Sequence, residues 1–247
     1  MSSSLKLVSL NIQGDRHLQR FLPYMQSLSP DVACLQEVPE SLFIQIKNEL
    51  SATGHFVAMA KHGKEKSILG LAIFVLHKLQ FVYEDIQYHY EETPFGEALP
   101  LALSKNQHTM HRFVQYVKVR KEGVTYPVGH THFTWTPDGY PSAEQFAQMP
   151  IVKRIIQEHQ LIFTGDLNAP RELDGRKGVI WHMLADVFWD NIPQHVRSTL
   201  DPELHRKKGL ERVVDCLFTP PKFVAEVNVL SGFSDHQLIA AVVSPVS

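Results

Sequence analysis

The sequence predicts an α/β sandwich of four layers, in which two mostly antiparallel sheets pack together and helices flank them. Three observations favour it: many short apolar segments of strand length, few segments of helical periodicity between them, and neither a repeat nor a linker. The chain has 247 residues, of which 44% are hydrophobic and 20% charged, as in ordinary globular proteins. A chain of this length can bury one large core, so we expect a single domain over residues 1–247.

The first part of the chain alternates predicted strands and helices. Residues 88–99 are rich in Pro and Glu, which favours a long loop. Apolar side chains recur at helical spacing over residues 17–28 and 41–50, which predicts two helices. Four segments are apolar or alternating runs that predict strands: residues 5–10, 32–35, 68–76 and 79–83.

The second part contains more strands than helices. A helix is predicted over residues 142–159, where Ser142 and Gln145 have the spacing of a capping box. Residues 181–189 are expected to be irregular or a short helix. The remaining apolar runs predict strands, the first two joined as a hairpin: residues 110–119, 125–133, 160–164, 213–218, 223–230 and 237–243.

The charge balance excludes one class of function. With 24 basic and 26 acidic residues the formal net charge is −2, whereas a protein that holds nucleic acid by charge alone is usually basic. A histone-like or coating role is therefore excluded, although a local groove or a bound metal could still attract a nucleic acid. The chain also has 14 histidines, more than its length leads us to expect.

Cysteine usage and hydropathy bear on the cellular environment. Cys34 and Cys216 each lie within an apolar run, and two cysteines make neither a disulfide framework nor a zinc site. We therefore expect two buried, reduced thiols in an intracellular protein of the cytoplasm or the nucleus. No apolar run approaches the roughly 20 residues of a membrane helix, and the N-terminal segment does not resemble a signal peptide. We expect a monomer without a membrane partner.

Five polar side chains follow apolar strands, in the turn or loop where each strand ends. In layered α/β folds such strand ends from different elements converge on one rim. Carboxylate and amide oxygens suit Mg²⁺ or Mn²⁺ and not zinc. Each residue alone also has a structural explanation, because Asn and Asp before a turn often bond to nearby backbone. The five residues are Asn11, Glu37, Asp166, Asn168 and Asp235.

Histidines and a buried aspartate add a second kind of chemistry. His130 and His132 are two residues apart on a predicted strand and therefore share a face. A lone strand histidine is usually a core residue, but two on one face favour a site. Asp215 lies in a buried strand and must be paired or hydrogen-bonded, and His236, at the entry to a later strand, is a suitable type of partner.

Six short motifs, in this order, resemble those of the endonuclease/exonuclease/phosphatase superfamily, which has the deoxyribonuclease I-like fold. Together they extend over nearly the whole chain, and six motifs in order are far more specific than any one of them. They are Ser-Leu-Asn-Ile-Gln-Gly (residues 9–14), Leu-Gln-Glu-Val (35–38), Thr-His-Phe (131–133), Gly-Asp-Leu-Asn (165–168), Val-Asp-Cys-Leu-Phe (214–218) and Ser-Asp-His (234–236).

The resemblance implies a metal-dependent phosphoester hydrolase that uses Mg²⁺, with Mn²⁺ as a substitute. Glu37 would be the main metal ligand, with Asn11 beside it and Asp235 as an additional ligand. Asp166 would orient or deprotonate the attacking water, and Asn168 would hold a phosphate oxygen.

The resemblance also implies roles for the histidines. His236 would contact the scissile phosphate, while Asp215 holds its other ring nitrogen and favours the imidazolium. His132 would bind the phosphate or assist the leaving group. His130 and Arg112 would bind the substrate, Arg112 through a bidentate phosphate contact.

Within the superfamily the sequence is most similar to 5′-tyrosyl-DNA phosphodiesterases, through Ser-Pro-Asp-Val at residues 29–32 and Met-His-Arg-Phe at residues 110–113. It departs from them at Leu10, where they have an aromatic residue, and at Gln237, where they have Trp. We therefore expect a Mg²⁺-dependent phosphodiesterase acting on nucleic acid or a nucleic-acid adduct. The alternatives are a phosphomonoesterase acting on an inositol or another small phosphorylated metabolite, and an inactive family member that serves as a binding scaffold.

Overall fold

The computed structural model describes residues 4–62, 67–76, 85–89 and 112–246. Its helices are α1 (Leu18–Leu28), α2 (Glu40–Glu49), α3 (Ala143–His159) and α4 (Val179–Ala185). Its strands are β1 (Leu5–Asn11), β2 (Val32–Pro39), β3 (Ala52–His62), β4 (Ser67–Leu76), β5 (Asp85–His89), β6 (Phe113–Lys121), β7 (Val124–His132), β8 (Ile162–Asp166), β9 (Glu172–Leu173), β10 (Arg176–Lys177), β11 (Trp189–Asp190), β12 (Asp215–Thr219), β13 (Phe223–Leu230) and β14 (Leu238–Pro245).

The strands form two six-stranded sheets, besides a small hairpin of β9 and β10. The first sheet has the order β13-β14-β1-β2-β4-β3 and the second β11-β12-β8-β7-β6-β5. Each contains one parallel pair, β1 with β2 and β7 with β8, and a helix connects the strands of each pair. The other neighbours in both sheets are antiparallel.

Alternating side chains of the sheets pack in two directions. Leu5 and Leu7 of β1 belong to one cluster with the second sheet, whereas Val8 and Leu10 pack with α1 and α2. The buried side chains of α3 and α4 join the cluster that contains the second sheet. The layers are therefore α1 and α2, the first sheet, the second sheet, and α3 with α4. This architecture confirms the predicted fold class.

The helix predicted over residues 142–159 is confirmed together with its capping box. Ser142 Oγ accepts from the Gln145 N–H at 3.1 Å, and Gln145 Oε1 accepts from the Ser142 N–H at 3.2 Å. These bonds satisfy two donors that a helix start otherwise leaves unpaired. The helix begins immediately after the loop that follows β7, so its cap also fixes one wall of the site described below.

The structure differs from the predicted elements in several places. The sequence analysis missed β3, and Tyr88 and His89, expected in a loop, belong to β5. It also missed β9, β10 and β11, which have two residues each. The expected strand at residues 79–83, most of the loop at 88–99, and residues 110–111 lie outside the described residues.

Two expectations about thiols and membranes can be compared with the structure. Cys34 and Cys216 are free and buried, as expected. Within the described ranges, no helix combines the length and hydropathy that crossing a membrane requires.

Candidate active site

The registers of the two sheets bring the predicted site residues to one rim. In the second sheet Asp166 is the register partner of both His132 on β7 and Asp215 on β12. In the first sheet Asn11, at the end of β1, pairs with Gln36, the residue before Glu37. His236 lies just before β14. The two sheets therefore contribute to one cluster of polar side chains.

Glu37 is presented to the cluster by an irregularity in β2. The register between β2 and β4 shifts between Leu35 and Val38, and Glu37 has a φ of 56°. This left-handed backbone is unfavourable for a non-glycine residue and costs about 1–3 kcal/mol. Such a bulge re-aims a side chain that a regular strand would direct elsewhere. The Glu37 side chain is 29% exposed, so it remains accessible from the rim.

Asn11 connects the carboxylates of the two sheets. Its Nδ2 donates to Glu37 Oε1 at 3.2 Å and to Asp166 Oδ2 at 3.3 Å. Its Oδ1 accepts from the Gln13 N–H at 3.1 Å. The amide therefore faces both carboxylates with its nitrogen, and a role for Asn11 as an oxygen ligand requires the amide to rotate.

Asp215 and His236 form the buried pair expected for them. His236 Nδ1 lies 2.9 Å from Asp215 Oδ2 and 3.1 Å from Oδ1. The other ring nitrogen, Nε2, lies 3.8 Å from Asp166 Oδ2. Burial alone would lower the pKa of His236, but the carboxylates of Asp215 and Asp166 raise it well above its ordinary value. His236 is thus held as an imidazolium beside Asp166.

The loop before β12 fixes this pair through the backbone. Thr199 Oγ1 accepts from the N–H groups of Val214 and Asp215 at 3.0 Å each. The next residue, Leu200, forms an isolated bridge with His236. The sequence analysis missed Thr199, because a single threonine in a polar loop carries no periodic or compositional signal.

Asp166 is the most deeply buried carboxylate of the cluster. Its side chain is 1% exposed, and burial raises its pKa to about 7, although the nearby His236 charge opposes this. Its Oδ1 accepts from the Asn168 N–H at 2.8 Å. Because its pKa lies near neutral pH, Asp166 can both accept and release a proton under ordinary conditions.

Asn168 is held close to Asp166 by its own backbone and side chain. Its φ of 50° turns the chain sharply after β8, and its Nδ2 donates to the Phe133 carbonyl at 2.9 Å. The residue thus links the loop after β8 to the loop after β7.

His132 lies between the acidic side chains of the two sheets. Its Nε2 is 3.5 Å from Asp166 Oδ2 and 3.9 Å from Glu37 Oε1. Burial lowers its pKa well below the ordinary value, and the charges of Arg112 and His236 lower it further. Its Nδ1 is buried without a hydrogen-bond partner among the described residues. The neutral ring therefore presents Nε2 to the two carboxylates.

Two residues expected to bind substrate are buried. His130 has no exposed surface, its Nδ1 lies 3.2 Å from Gln36 Nε2, and its Nε2 lies 2.9 Å from Gln115 Oε1. The His130 ring is buried with both nitrogens occupied, and its expected role in substrate binding stays a prediction. Arg112 is 3% exposed, and its Nη1 donates to the His132 carbonyl at 2.7 Å. Its phosphate contact stays a prediction.

Asp235 is not part of the converging group. Its Oδ1 accepts from the Ser234 hydroxyl at 3.2 Å, and its charge contributes to the raised pKa of His236. The ligand atoms of Asp166, Asp215 and His236 lie within 4.8 Å of one another, and neither Asp235 nor Glu37 belongs to that set. Its expected role as a metal ligand stays a prediction.

The donor set fits a divalent cation. Both oxygens of Asp215 face His236, whereas the groups between Glu37 and Asp166 are the neutral Asn11 amide nitrogen and the neutral His132 ring. Among the described residues no Lys or Arg side chain pairs with Glu37 or Asp166. Two carboxylates held together without a full positive charge between them favour a hard cation. Glu37 and Asp166 are therefore the residues best placed to hold one.

Solved structures with the same fold include proteins of several kinds. An endonuclease/exonuclease/phosphatase family protein from Bacteroides thetaiotaomicron has a TM-score of 0.74 and 16% identity, with 100% of each chain covered. TDP2 from D. rerio, complexed with a single strand DNA product, has a TM-score of 0.69 and 17% identity, covering 98% of this chain and 99% of that one. A mannosyl-6-phosphatase from B. thetaiotaomicron has a TM-score of 0.69 and 15% identity, and the match covers 97% of this chain and 99% of that one.

At the level of sequence, no curated protein matches the chain. The model of one family does match, over residues 8–236, which is most of the chain and includes all six motifs. This match confirms the resemblance expected from the motifs, and the presence of TDP2 among the structural neighbours agrees with it. The chain belongs to the Endonuclease/Exonuclease/phosphatase family and is therefore a phosphoric ester hydrolase.

Proposed function

We propose that this protein is a Mg²⁺-dependent phosphodiesterase that hydrolyses phosphodiester bonds in nucleic acid or in nucleic-acid adducts. One observation carries the proposal. The rim joins two carboxylates suited to a cation, Glu37 and Asp166, to an Asp215–His236 pair that is held protonated. Hydrolysis at phosphorus requires neutralisation of the phosphate oxygens, a base for the attacking water and stabilisation of the developing charge.

Asp166 is the residue best placed to act on the water. Its carboxylate is buried, near-neutral in pKa, and fixed on two sides by Asn11 and the Asn168 N–H. A base in this range contributes about 10²- to 10⁴-fold to the rate. The hydrogen bonds from Asn11 and from the Asn168 N–H stabilise the ionised carboxylate, which is the form that accepts a proton from the water.

His236 is the residue best placed to meet the scissile phosphate. Asp215 occupies its Nδ1, which leaves Nε2–H directed towards Asp166 and the open side of the cluster. The imidazolium would donate to a phosphate oxygen and stabilise the charge of the transition state. Asn168 and His132 flank the same space and would orient the phosphate.

Glu37 would hold the cation, with Asn11 contributing once its amide rotates, while Asp166 acts on the water. When bound, Mg²⁺ would neutralise the phosphate oxygens and lower the pKa of a bound water. Mn²⁺ suits the same oxygen donors and is expected to substitute.

The nucleic-acid substrate is supported by the structural neighbour TDP2, which is complexed with a single strand DNA product. A second candidate, phosphomonoester hydrolysis of a small metabolite, is supported by the neighbour described as a mannosyl-6-phosphatase. The two reactions differ in the number of ester bonds at phosphorus, so matched substrates separate them.

The test compares hydrolysis of bis(p-nitrophenyl) phosphate and p-nitrophenyl phosphate, each with Mg²⁺, with Mn²⁺ and with a chelator. Asp166→Asn removes the base at nearly constant shape, and Asp186→Asn, at an exposed carboxylate after α4, is the matched control. We expect metal-dependent cleavage of the diester that falls at least 10²-fold in Asp166→Asn and is unchanged in Asp186→Asn.

Cleavage of the monoester alone would replace the phosphodiesterase proposal by the phosphatase. If a folded protein cleaves neither substrate and Mg²⁺ does not raise its melting temperature, the scaffold alternative is favoured.

A further inference from the structure

A cavity is formed by residues that continue two segments of the candidate active site. It has a volume of about 260 Å³ and is built from the continuations of two site segments, the loop after Asn168 and the loop before Asp215. These segments are joined by backbone bonds of 2.9 Å from Leu167 N–H to the Val214 carbonyl and from Arg171 N–H to the Val213 carbonyl. The cavity is therefore fixed to the same scaffold as the site residues.

The least exposed charged side chains that line this cavity, Arg171 and Arg212, are positive. The Arg171 side chain is buried, and its guanidinium donates to the carbonyls of Ile192 at 3.0 Å and of Val196 at 2.7 Å. These neutral acceptors orient the guanidinium but do not cancel its charge. Among the described residues no carboxylate lies within 4.0 Å of the Arg171 guanidinium, so Arg171 forms no ion pair with them.

Arg212 is half-buried at the other side of the cavity. It lies against Gly139, where the φ of 81° and the closeness of the guanidinium leave no room for a side chain. In the part of the chain that the structure describes, its guanidinium has neither a hydrogen bond nor an ion pair. Arg197 is an exposed lining residue with the same charge.

The acidic residues of the lining lie at the exposed mouth. Glu172 and Glu211 are exposed and can turn into solvent, where screening weakens their fields. Asp174 is also exposed, and its carboxylate accepts from the Tyr140 hydroxyl. The cavity thus presents the fixed guanidinium of Arg171 and the half-buried guanidinium of Arg212, which suit a phosphate more than a neutral or cationic group.

We propose that this cavity is a subsite for a second phosphate of the substrate, next to the one that is hydrolysed. Arg212 is three residues from Asp215, so their Cα atoms are at most about 11 Å apart, a separation that one nucleotide and an arginine side chain can bridge. This inference rests on the proposed phosphodiesterase function and narrows its substrate to chains of phosphates, as in a nucleic-acid strand.

The test uses two substrates that differ only in the second phosphate: thymidine 5′-(p-nitrophenyl phosphate) with and without a 3′-phosphate. The kcat/KM of the wild type should be roughly tenfold higher with the 3′-phosphate, because a charge-assisted contact in a partly exposed site contributes that much. In Arg212→Gln this ratio should fall to about one, mainly through KM. Arg176→Gln, at an exposed arginine on β10 outside the cavity, is the matched control and should keep the ratio.

The outcomes separate this inference from the proposed function. Cleavage of the simple ester by the wild type tests the function, whereas the ratio of the two substrates tests the subsite. A wild-type ratio near one, or an unchanged ratio in Arg212→Gln, overturns the inference.

Two further measurements apply if the Arg212→Gln variant does not fold or if the wild type cleaves neither ester. If Arg212→Gln does not fold, Arg197→Gln should reduce the ratio in its place, and an unchanged ratio again overturns the inference. If neither ester is cleaved, calorimetric binding of thymidine 3′,5′-bisphosphate decides. Weaker binding by Arg212→Gln, but not by Arg176→Gln, supports the subsite, and equal binding by all three proteins refutes it.

Discussion

His130 should make the stability of this protein sensitive to mild acid. The carbonyls of Cys34 and His55 accept from Gln36 Nε2 and Gln115 Nε2, so those amide nitrogens are donors. His130 Nδ1 must therefore accept from Gln36, and Nε2–H must donate to Gln115 Oε1. Only the neutral ring fits this chain of bonds, and burial lowers the pKa of His130 from 6.5 to about 3.

The magnitude follows from the two pKa values. Below pH 6.5 His130 becomes protonated in the unfolded chain, whereas in the folded protein it stays neutral down to about pH 3. The free energy of unfolding therefore falls as the pH is lowered from 6.5 to about 3. Between pH 7.5 and pH 5 the loss is about 2 kcal/mol, and below pH 5 it continues at about 1.4 kcal/mol per pH unit.

The assay is urea unfolding of the wild type and of His130→Gln at pH 7.5, 6 and 5, followed by tryptophan fluorescence. Glutamine offers a donor and an acceptor but does not titrate. The variant should be less stable than the wild type at pH 7.5, and this difference should shrink by about 2 kcal/mol at pH 5. Parallel pH dependences of the two proteins would refute the neutral buried histidine.

Three other changes test the site and its supports. Asp215→Asn removes the charge that raises the pKa of His236, so kcat should fall by about 10²- to 10⁴-fold and the alkaline limb of the pH–rate profile should move to lower pH; an unmoved limb would contradict the pairing. Thr199→Val deprives two buried N–H groups of their acceptor and should cost about 1–3 kcal/mol in urea unfolding, so a near-neutral result would show that water replaces the hydroxyl. Ser142→Ala breaks the capping box of α3 and should cost about 1 kcal/mol, whereas a change below a few tenths would mean that tertiary packing alone fixes the helix start.

The sequence predicts the fold well where local patterns agree with burial. Strands β1, β8 and β13 are apolar or alternating runs, and the start of α3 is marked by its capping box. The pattern fails for β3, in which Ala, Gly and His replace the β-branched and aromatic residues that mark strands. Two-residue strands such as β9 and β11 are set by tertiary contacts and leave no periodic signal.

The site residues are predictable as a group but not in their individual positions. Residue spacing places His130 and His132 on one face of β7 but does not give their depth, and only His132 reaches the rim. The bulge at Glu37 and the support from Thr199 depend on the backbone of other segments. The residue types of the site are therefore visible in the sequence, while the sheets decide which side chains lie together.

The pairing of β1 with β14 has a consequence for how the protein reaches its active form. Residues 5–9 pair with residues 239–243, so the first sheet closes only after the chain has made one of its longest-range contacts. Such contacts slow folding, because a large loop must close, with a loss of chain entropy, before the two strands can form hydrogen bonds. On the ribosome, a nascent chain that has not yet released β14 lacks both this pairing and a seated His236. Hydrolytic activity should therefore appear only after β14 has left the ribosome and has paired with β1.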